Sequence, residues 1–495
     1  MIPSTQLFEL IKSLTKAEKR SFKLMCSSQG DVNKKIVVRL FDKLDEMKVY
    51  DEKLVKNFFR EERFIKQLTS TKNYLYHLIL RSLNRSSENK GPEHSIESMI
   101  RVVPVLYQKK LFTQIIPVIK KIKRQAIENE LYLFLFESLS WEENIINHLP
   151  DFNNAMIRFS EIKSEKAGAL KKIENRAVYQ NLRAQVFGLV KEERYGKSIQ
   201  LFNKKEKDVL SIITNDPPSC LRSQCDMHYS LGILLFYKKD FFKSYNEFKT
   251  LLGILDRTGF LKKDTSNYNY LYAAQNCLAT AIHLALYDDF VKDLLTQLKE
   301  EYKNNPANYL LVLRLELAIL VKTSKFDQAI SLIEHNQTTI KQLDKQEDLI
   351  LADFLFGAVQ AYFWKGDYKQ TIKWINKITT FKQKVFPAEI YFITRLIEIL
   401  VHIELQNHSL AISFLGSLKR QQEKEDKNQF AEKAVINSLS NYIQNNSHQK
   451  QILKKLQATL RQPKMKMGIS KLQKNFNFEN WLERKINPNK KQVAI

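Results

Sequence analysis

The sequence predicts an all-α fold, a solenoid in which helical hairpins stack one after another along the chain. The first reason is length, because 495 residues are about three times the usual length of a single domain. The second is composition, because 12 glycines and 11 prolines are too few for the many turns of a β-rich fold. The third is a local pattern that recurs along the sequence. A hydrophobic fraction of 44% is sufficient for a large core.

The recurring pattern is a short polar turn followed by an aromatic residue, a small residue and a large apolar residue. A clear copy contains Leu231, Gly232, Phe241, Ser244 and Phe248. We interpret the aromatic residue as filling the bend between two antiparallel helices, while the small residue allows them to approach closely. Successive copies are 36 to 49 residues apart, as expected for helical hairpins that cover one another. Their first positions are 112, 152, 195, 241, 290, 326, 368 and 408.

Two copies resemble the tetratricopeptide repeat, the one around Leu231-Gly232 and the one at Gly366-Asp367-Tyr368 with Thr371. The resemblance covers roughly residues 100 to 420. The spacings exceed the family's repeat of about 34 residues, and the closing proline is almost always missing. The resemblance implies a right-handed α-α superhelix whose first helices line a concave groove for peptides or helices. The alternative is an irregular α-solenoid unrelated by descent, which has the same architecture.

The first 85 residues differ from the repeats, and we interpret residues 1–85 as a four-helix N-terminal cap. Thr15 and Glu18 form a capping box, in which each side chain accepts a hydrogen bond from the other's backbone amide. Gly30-Asp31 marks a turn, and Gly91-Pro92 lies in a predicted linker. The predicted domains are therefore an N-terminal helical domain at 1–85, TPR-like helical repeats at 93–420, and C-terminal helices with a basic tail at 421–495.

The basic tail stands out within a chain of formal net charge +25. From His448 to Ile495 there are 12 Lys and Arg but only two acidic residues, a local net charge of +10. Such an excess favours nucleic acid, anionic membranes or acidic proteins by long-range attraction. Either the tail binds an anionic polymer, or it is a solvated cap of ordinary helices.

Cysteine content and hydropathy predict a cytoplasmic protein without a membrane span. Four cysteines in a chain of this length suit a reducing compartment, and only Cys220 and Cys225 lie close together. The start of the sequence shows no basic segment leading into an apolar run, so no secretory signal is expected. No apolar stretch of about 18 residues occurs.

Chemistry-bearing motifs are missing from the sequence, so we predict no enzyme, no cofactor and no metal site. The nine histidines are scattered, and no His-Glu-x-x-His, glycine-rich phosphate loop or Gly-x-Ser-x-Gly elbow is present. Adjacent carboxylates such as Glu142-Glu143 point about 100° apart on a helix and favour a solvated face over an acid–base pair. A loose helix-turn-helix similarity around Gly30-Asp31 and the basic-aromatic run Lys56-Asn57-Phe58-Phe59-Arg60 leave nucleic-acid binding open.

The predicted function is a non-catalytic scaffold that binds a protein or peptide, and an acidic ligand is one of the options. If the first helix of each hairpin lines a groove, arginines there can fork onto carboxylates and aromatic residues can anchor the ligand. The alternative is a nucleic-acid-associated regulatory protein that uses basic N- and C-terminal helices. The groove candidates are Gln180, Arg183, Tyr229, Phe236, Gln275, Arg314, Phe356 and Gln360.

Overall fold

The structure is a computed structural model, and the predicted all-α class is confirmed: no strand occurs in the ranges that it describes. It divides into two compact units, Met1–Ala177 and Val178–Ile495, referred to below as the N-unit and the C-unit. The predicted boundary between residues 85 and 93 lies inside the N-unit, and the predicted domain limits stay predictions. The described residues are 4–27, 32–87, 92–148, 152–193, 199–259, 261, 270–343, 349–379, 388–424, 430–462 and 476–487.

The helices of the N-unit are α1 Ser4–Ser13, α2 Lys16–Ser27, α3 Val32–Glu46, α4 Glu52–Phe58, α5 Leu68–Ser87, α6 Pro92–Gln108, α7 Phe112–Glu128, α8 Tyr132–Ile146 and the first part of α9 Phe152–Glu193. A short 3-10 helix, Arg63–Gln67, precedes α5. The first five helices share a core of their own, in which the Phe22 and Phe41 rings lie 4.7 Å apart. This segment therefore contains five α-helices rather than the four that we predicted, because Glu52–Phe58 forms a separate short helix.

The capping box at the start of α2 is confirmed. The Thr15 amide donates to Glu18 Oε2 at 2.8 Å, and the Glu18 amide donates to Thr15 Oγ1 at 3.3 Å. Both backbone donors at this helix start are thereby satisfied without help from a neighbouring helix. The predicted turn at Gly30-Asp31 and the linker glycine, Gly91, lie outside the described residues.

The C-unit begins within α9 and contains a row of helical hairpins. Its further helices are α10 Ile199–Asn215, α11 Leu221–Tyr237, α12 Phe241–Arg257, α13 Tyr270–Leu284, α14 Asp289–Tyr302, α15 Pro306–Lys322, α16 Phe326–His335, α17 Gln337–Leu343, α18 Leu349–Lys365, α19 Tyr368–Thr379, α20 Ala388–Glu404, α21 His408–Lys424, α22 Phe430–Gln444, α23 Gln449–Leu460 and α24 Phe478–Ile486.

The described positions that mark the repeated pattern lie at helix starts, as expected for the bends of hairpins. Between positions 152 and 195, however, the pattern predicts two helices, and a single helix, α9, occupies residues 152–193. Phe290 is the second residue of α14, and position 195 lies outside the described residues. The other six are each the first residue of a helix, namely Phe112, Phe152, Phe241, Phe326, Tyr368 and His408.

The hairpin turns share one backbone geometry, a left-handed residue two positions before the new helix. In the α11–α12 turn this residue is Lys239, with φ 65°, and its amide donates to the Phe236 carbonyl at 3.0 Å. The next amide, of Asp240, donates to the Leu235 carbonyl at 3.0 Å, which completes a Schellman motif. The equivalent residues with positive φ are Lys110, Glu130, Ser324, Gly366 and Gln406. Only one of these six is glycine, so the turns leave little trace in the glycine content.

Close approach of α11 and α12 depends on Gly232. A Cβ atom built there would lie 2.8 Å from Cζ of Phe248, whose ring is fully buried. Ser244 Oγ donates to the Gly232 carbonyl at 2.7 Å across the same interface. The small and aromatic residues of the repeated pattern are therefore the residues that hold this hairpin together.

The first helices of successive hairpins contact one another as well as their own second helices. Contacts run from α11 to α13, from α13 to α15, from α15 to α18 and from α18 to α20. We call the side formed by α9 from Val178 onwards, α11, α13, α15, α18 and α20 the first-helix face. The handedness of the superhelix stays a prediction.

Helix α24 packs against the hairpins rather than extending away from them. Trp481 Nε1 donates to Glu404 Oε1 at 2.8 Å, and Lys485 Nζ lies 2.7 Å from Glu404 Oε2. The Phe476 ring stacks on Trp364 at 5.2 Å, and the Arg484 guanidinium lies 4.8 Å from the centre of the same Trp364 ring. Two of the basic residues assigned to the tail are thus engaged inside the C-unit, whereas positions 464–474, 490 and 491 lie outside the described residues.

Candidate functional site

All eight predicted groove residues lie on first helices of the C-unit. Seven of them are half-buried, as a ligand-contacting position requires, but Phe356 has only 6% of its surface exposed. Phe356 belongs to the core around α15 and α18, so it is not presented on the first-helix face. The prediction placed it there because helical spacing alone does not distinguish the two sides of a helix that is apolar all round.

Arg183 on α9 is bound by a carboxylate of the next first helix. Its Nη1 lies 2.7 Å from Oδ1 of Asp226 on α11, whose side chain is fully buried, while 21% of the Arg183 side chain is exposed. A buried carboxylate needs a cation close by, since an ion leaves water only at a large cost in free energy. Arg183 therefore already forms an ion pair with a carboxylate of the protein itself.

Arg314 on α15 repeats this arrangement. Its Nη1 donates to Oδ2 of Asp353 on α18 at 3.0 Å, and the two side chains are 22% and 30% exposed. Burial raises the pKa of Asp353, and Arg314 offsets only part of that shift. Charge reversal at both arginines should disturb the fold, because each new carboxylate would face an aspartate.

Tyr229 on α11 lies at the centre of an aromatic and polar cluster. Asn276 Nδ2 on α13 donates to the Tyr229 hydroxyl at 3.0 Å, and the Phe187 ring on α9 lies 5.5 Å from the Tyr229 ring. Burial raises the pKa of Tyr229, so the phenol stays protonated at neutral pH. Tyr272 on α13 is 57% exposed. Sequence reasoning missed Phe187, Tyr272 and Asn276, although Phe187 follows Arg183 at the helical spacing of four.

Phe236 lies at a hairpin turn, in the last turn of α11. Its ring is 5.5 Å from Phe241, the first residue of α12, and 5.4 Å from His283 of α13. The Phe241 and His283 rings stack at 4.2 Å with 2° between their planes. Phe236 therefore contributes to the joint between two hairpins, and its half-buried ring closes the edge of the first-helix face.

The remaining polar residues among the predicted groove positions are glutamines, whose side chains end in a carboxamide. Gln180, Gln275 and Gln360 are half-buried on α9, α13 and α18, and Asn276 adds a fourth amide beside Gln275. Each such group offers one carbonyl acceptor and two N–H donors without a charge. The predicted polar residues of the first-helix face are thus neutral amides and arginines that already have carboxylate partners.

Groups that perform catalysis or bind metals do not converge among the described residues. No cluster of three or more His, Cys, Asp and Glu side chains that could hold a metal ion occurs in that part of the chain. The four cysteines are all buried and form no disulfide, and burial raises the pKa of Cys277 to about 12, which keeps this thiol protonated. The absence of a cofactor and of an activity stays a prediction.

The basic and aromatic residues near the N-terminus are largely engaged within the first five helices. Phe59 is buried in their core, whereas Phe58 is 56% exposed, with Lys43 Nζ 4.2 Å from its ring centre. On α2, Lys19 and Lys23 pair with carboxylates of α3 at 2.6 Å each. The core-aromatic interpretation therefore holds for Phe59 but not for Phe58, whose exposed ring leaves base stacking open. Among the described helices, none is apolar over a length that could cross a membrane.

Comparison with known proteins gives little further information. No protein-family model matches the sequence, and no curated protein matches it. The crystal structure of NprR in complex with its cognate peptide NprX is similar over 80% of this chain and 98% of that chain, with 12% sequence identity and a TM-score of 0.35. We draw nothing about fold or function from a likeness this remote. Membership of the tetratricopeptide family and the cytoplasmic location stay predictions.

Proposed function

We propose that the chain is a non-catalytic scaffold that binds a protein or peptide along the first-helix face of the C-unit. The observation that carries this proposal is the alignment of half-buried polar and aromatic side chains on consecutive first helices. Arg183, Tyr229 and Arg314 are each held by a hydrogen bond or ion pair to the next first helix. Side chains fixed in this way lose little conformational entropy on binding, which favours recognition.

The chemistry of this face supports binding rather than reaction. Arg183 and Arg314 are neutralised by carboxylates and Tyr229 is protonated at neutral pH, so these residues suit ligand contact better than acid–base chemistry. Exposed Tyr272 and Phe187, which is 43% exposed, offer the apolar contact area that protein interfaces commonly use.

The test uses the full chain and a synthetic library of random nonapeptides. Library members that bind are identified by affinity selection, and hydrogen exchange then locates the contact on the protein. Slower exchange in α11, α13, α15 and α18 upon binding is the expected result. Failure to select any peptide, or slower exchange confined to α1–α5, would contradict the proposal. A Tyr229→Ala variant is expected to lower the affinity at least about tenfold, which corresponds to about 1.4 kcal/mol.

A nucleic-acid-associated role is the second candidate, and an exposed basic face of α7 favours it. Lys120, Lys121 and Arg124 are exposed on that helix, and no described residue forms an ion pair with them. In contrast, Lys123 on another side of α7 is bound by Glu142 and Glu165. Binding of a labelled duplex or single strand that weakens steeply between low and high salt, and that is lost when the three exposed cations are replaced by glutamine, would support this role.

A further inference from the structure

The first-helix face carries two ion pairs of the same design, and together they determine what kind of ligand it can accept. In each pair an arginine of one first helix binds a carboxylate of the following first helix, Arg183 to Asp226 and Arg314 to Asp353. The two pairs lie at opposite ends of the α9–α18 row. The inference below concerns the ligand of this face and therefore rests on the proposed function.

An acidic ligand is a poor match for these pairs. Each arginine already has a carboxylate at salt-bridge distance, so an incoming carboxylate would bring a second negative charge to the same cation. Asp226 is fully buried and Asp353 is 30% exposed, so neither carboxylate can turn fully into water to make room. Burial already disfavours the ionised form of Asp353, and a neighbouring anion would disfavour it further.

An amide group is a good match for the Arg314–Asp353 pair. A guanidinium has five N–H donors, and the bond from Nη1 to Asp353 Oδ2 uses one of them. Both side chains are partly exposed, so the pair presents a donor and an acceptor side by side. A peptide unit, or an Asn or Gln side chain, offers a carbonyl and an N–H in the complementary arrangement without adding charge.

Other polar residues of the face also favour an amide group as their partner. Gln360 follows Asp353 by seven residues on α18, which places it on the same side two turns along the helix. Gln180, Gln275 and Asn276 present further carboxamides on α9 and α13. Neutral amide groups therefore recur on α9, α13 and α18 of the face.

We propose that the first-helix face recognises a neutral peptide through the amide groups of the peptide's main chain and of the peptide's Asn or Gln side chains. The ion pairs within the face exclude acidic peptides. The arginines act as positioned donors within neutral pairs, and the internal aspartates provide the discrimination. This differs from the acidic partner that the arginines suggest when each helix is considered alone.

The experiment compares two synthetic nonapeptide libraries that are identical except that Asn and Gln in one are Asp and Glu in the other. The wild-type full chain is expected to bind the neutral library at least about tenfold more tightly, as measured by competition at fixed ionic strength. In Asp353→Asn the carboxylate charge is removed and Arg314 becomes available, so the affinity for the acidic library should rise about tenfold. Asp289→Asn is the matched control, because the Asp289 side chain is 95% exposed and pairs with Lys292 within second helix α14.

A second variant keeps the test independent of the Arg314–Asp353 contact. Gln360→Arg adds a cation to the half-buried edge of α18 without a prepared carboxylate, so it should also improve binding of the acidic library about tenfold. Tighter binding of the acidic library by the wild type, or unchanged preference in both variants, would overturn the inference while leaving a peptide-binding scaffold in place. If neither library binds to the wild type or to the variants, the proposed function itself is wrong.

Discussion

The N-unit and the C-unit hold carboxylates in opposite ways. In the N-unit, Glu52 and Glu142 each accept from two cations, and both have lowered pKa values. In the C-unit, Asp353 and Glu398 have an arginine partner each, and burial raises both pKa values. The carboxylates differ in the number of cations and in exposure, since the Glu52 side chain is 42% exposed and that of Glu398 is 8% exposed.

This contrast shows two ways of placing charge in a helical array. Where Glu142 is bound by Arg158 Nε at 2.7 Å and by Lys123 Nζ at 3.0 Å, these bonds outweigh the cost of burial, so the ionised network stabilises the fold. On the first-helix face the paired charges lie among apolar residues, and ionisation there opposes folding. The ionised forms of Asp353 and Glu398 therefore do not stabilise the folded C-unit.

The largest expected effect comes from removing one of those apolar contacts. Phe248→Ala deletes the buried ring beside Gly232 and should lower the free energy of unfolding by about 3–5 kcal/mol, since a cavity remains in a packed core. Urea denaturation of the full chain measures this. Phe242→Ala is the matched control because that ring lies on the same helix and is 65% exposed. Similar losses in both variants would contradict the assignment of stability to the core.

The second-largest expected effect distinguishes a carboxylate with a lowered pKa, Glu142, from one with a raised pKa, Glu398. Glu142→Gln should destabilise the N-unit by about 1–2 kcal/mol, because the charged hydrogen bonds to Arg158 and Lys123 are weakened. Glu398→Gln should change stability by only about 0.5 kcal/mol, since removing a poorly solvated charge offsets the lost pair with Arg395. Hydrogen exchange in α8 and α20 gives the local values. A larger loss in Glu398→Gln would reverse the comparison.

Acidification should act on the two units with opposite sign. Hydrogen bonds from Lys56 and Lys72 lower the pKa of Glu52 from 4.5 to about 2, so its contribution to stability is present above pH 4.5 and is lost as the pH falls towards 2. The raised pKa values of Asp353 and Glu398 mean that protonation of these groups favours the folded C-unit as the pH falls.

Hydrogen exchange in α4–α5 and in α18–α20, corrected for the intrinsic rate at each pH, measures this difference. Protection should fall first in α4–α5, and Glu52→Gln should abolish most of the pH dependence there. Equal loss of protection in both segments would show that the local pKa shifts do not decide which unit opens first.

The smallest expected effect concerns a hairpin turn of the C-unit. Ser324 has φ 58° and a buried hydroxyl that bonds to no described residue. Ser324→Gly should therefore stabilise the chain by about 0.5–1 kcal/mol, because glycine adopts this conformation without steric cost. Gly366→Ala, at the equivalent turn with φ 85°, should lose a comparable amount. Thermal unfolding of the pair tests whether turn strain is uniform along the array.

Local features of this fold could be predicted from the sequence, and features that join distant helices could not. The contact between Gly232 and Phe248 was predictable because both residues belong to one hairpin and one repeated pattern. The partners of Arg183 and Arg314 lie 43 and 39 residues later, on the next first helix. Helical spacing within one helix does not show which side chains of the next helix contact it, so it does not identify these carboxylates. Their separation falls within the 36- to 49-residue repeat spacing, and an acidic residue one repeat after each arginine was the available signal.

Helix α24 changes how the last hairpins of the C-unit can open. In a row of repeats with nearest-neighbour contacts only, the outermost repeat can fray while the others stay folded. Trp481 and Lys485 instead bind Glu404, 77 and 81 residues earlier, and Arg484 covers Trp364 on α18. Opening α20 therefore breaks the contacts of α24 as well, and α24 ties the unfolding of α18 to that of α23. The segment from α18 to α24 should exchange its amide hydrogens as one cooperative block.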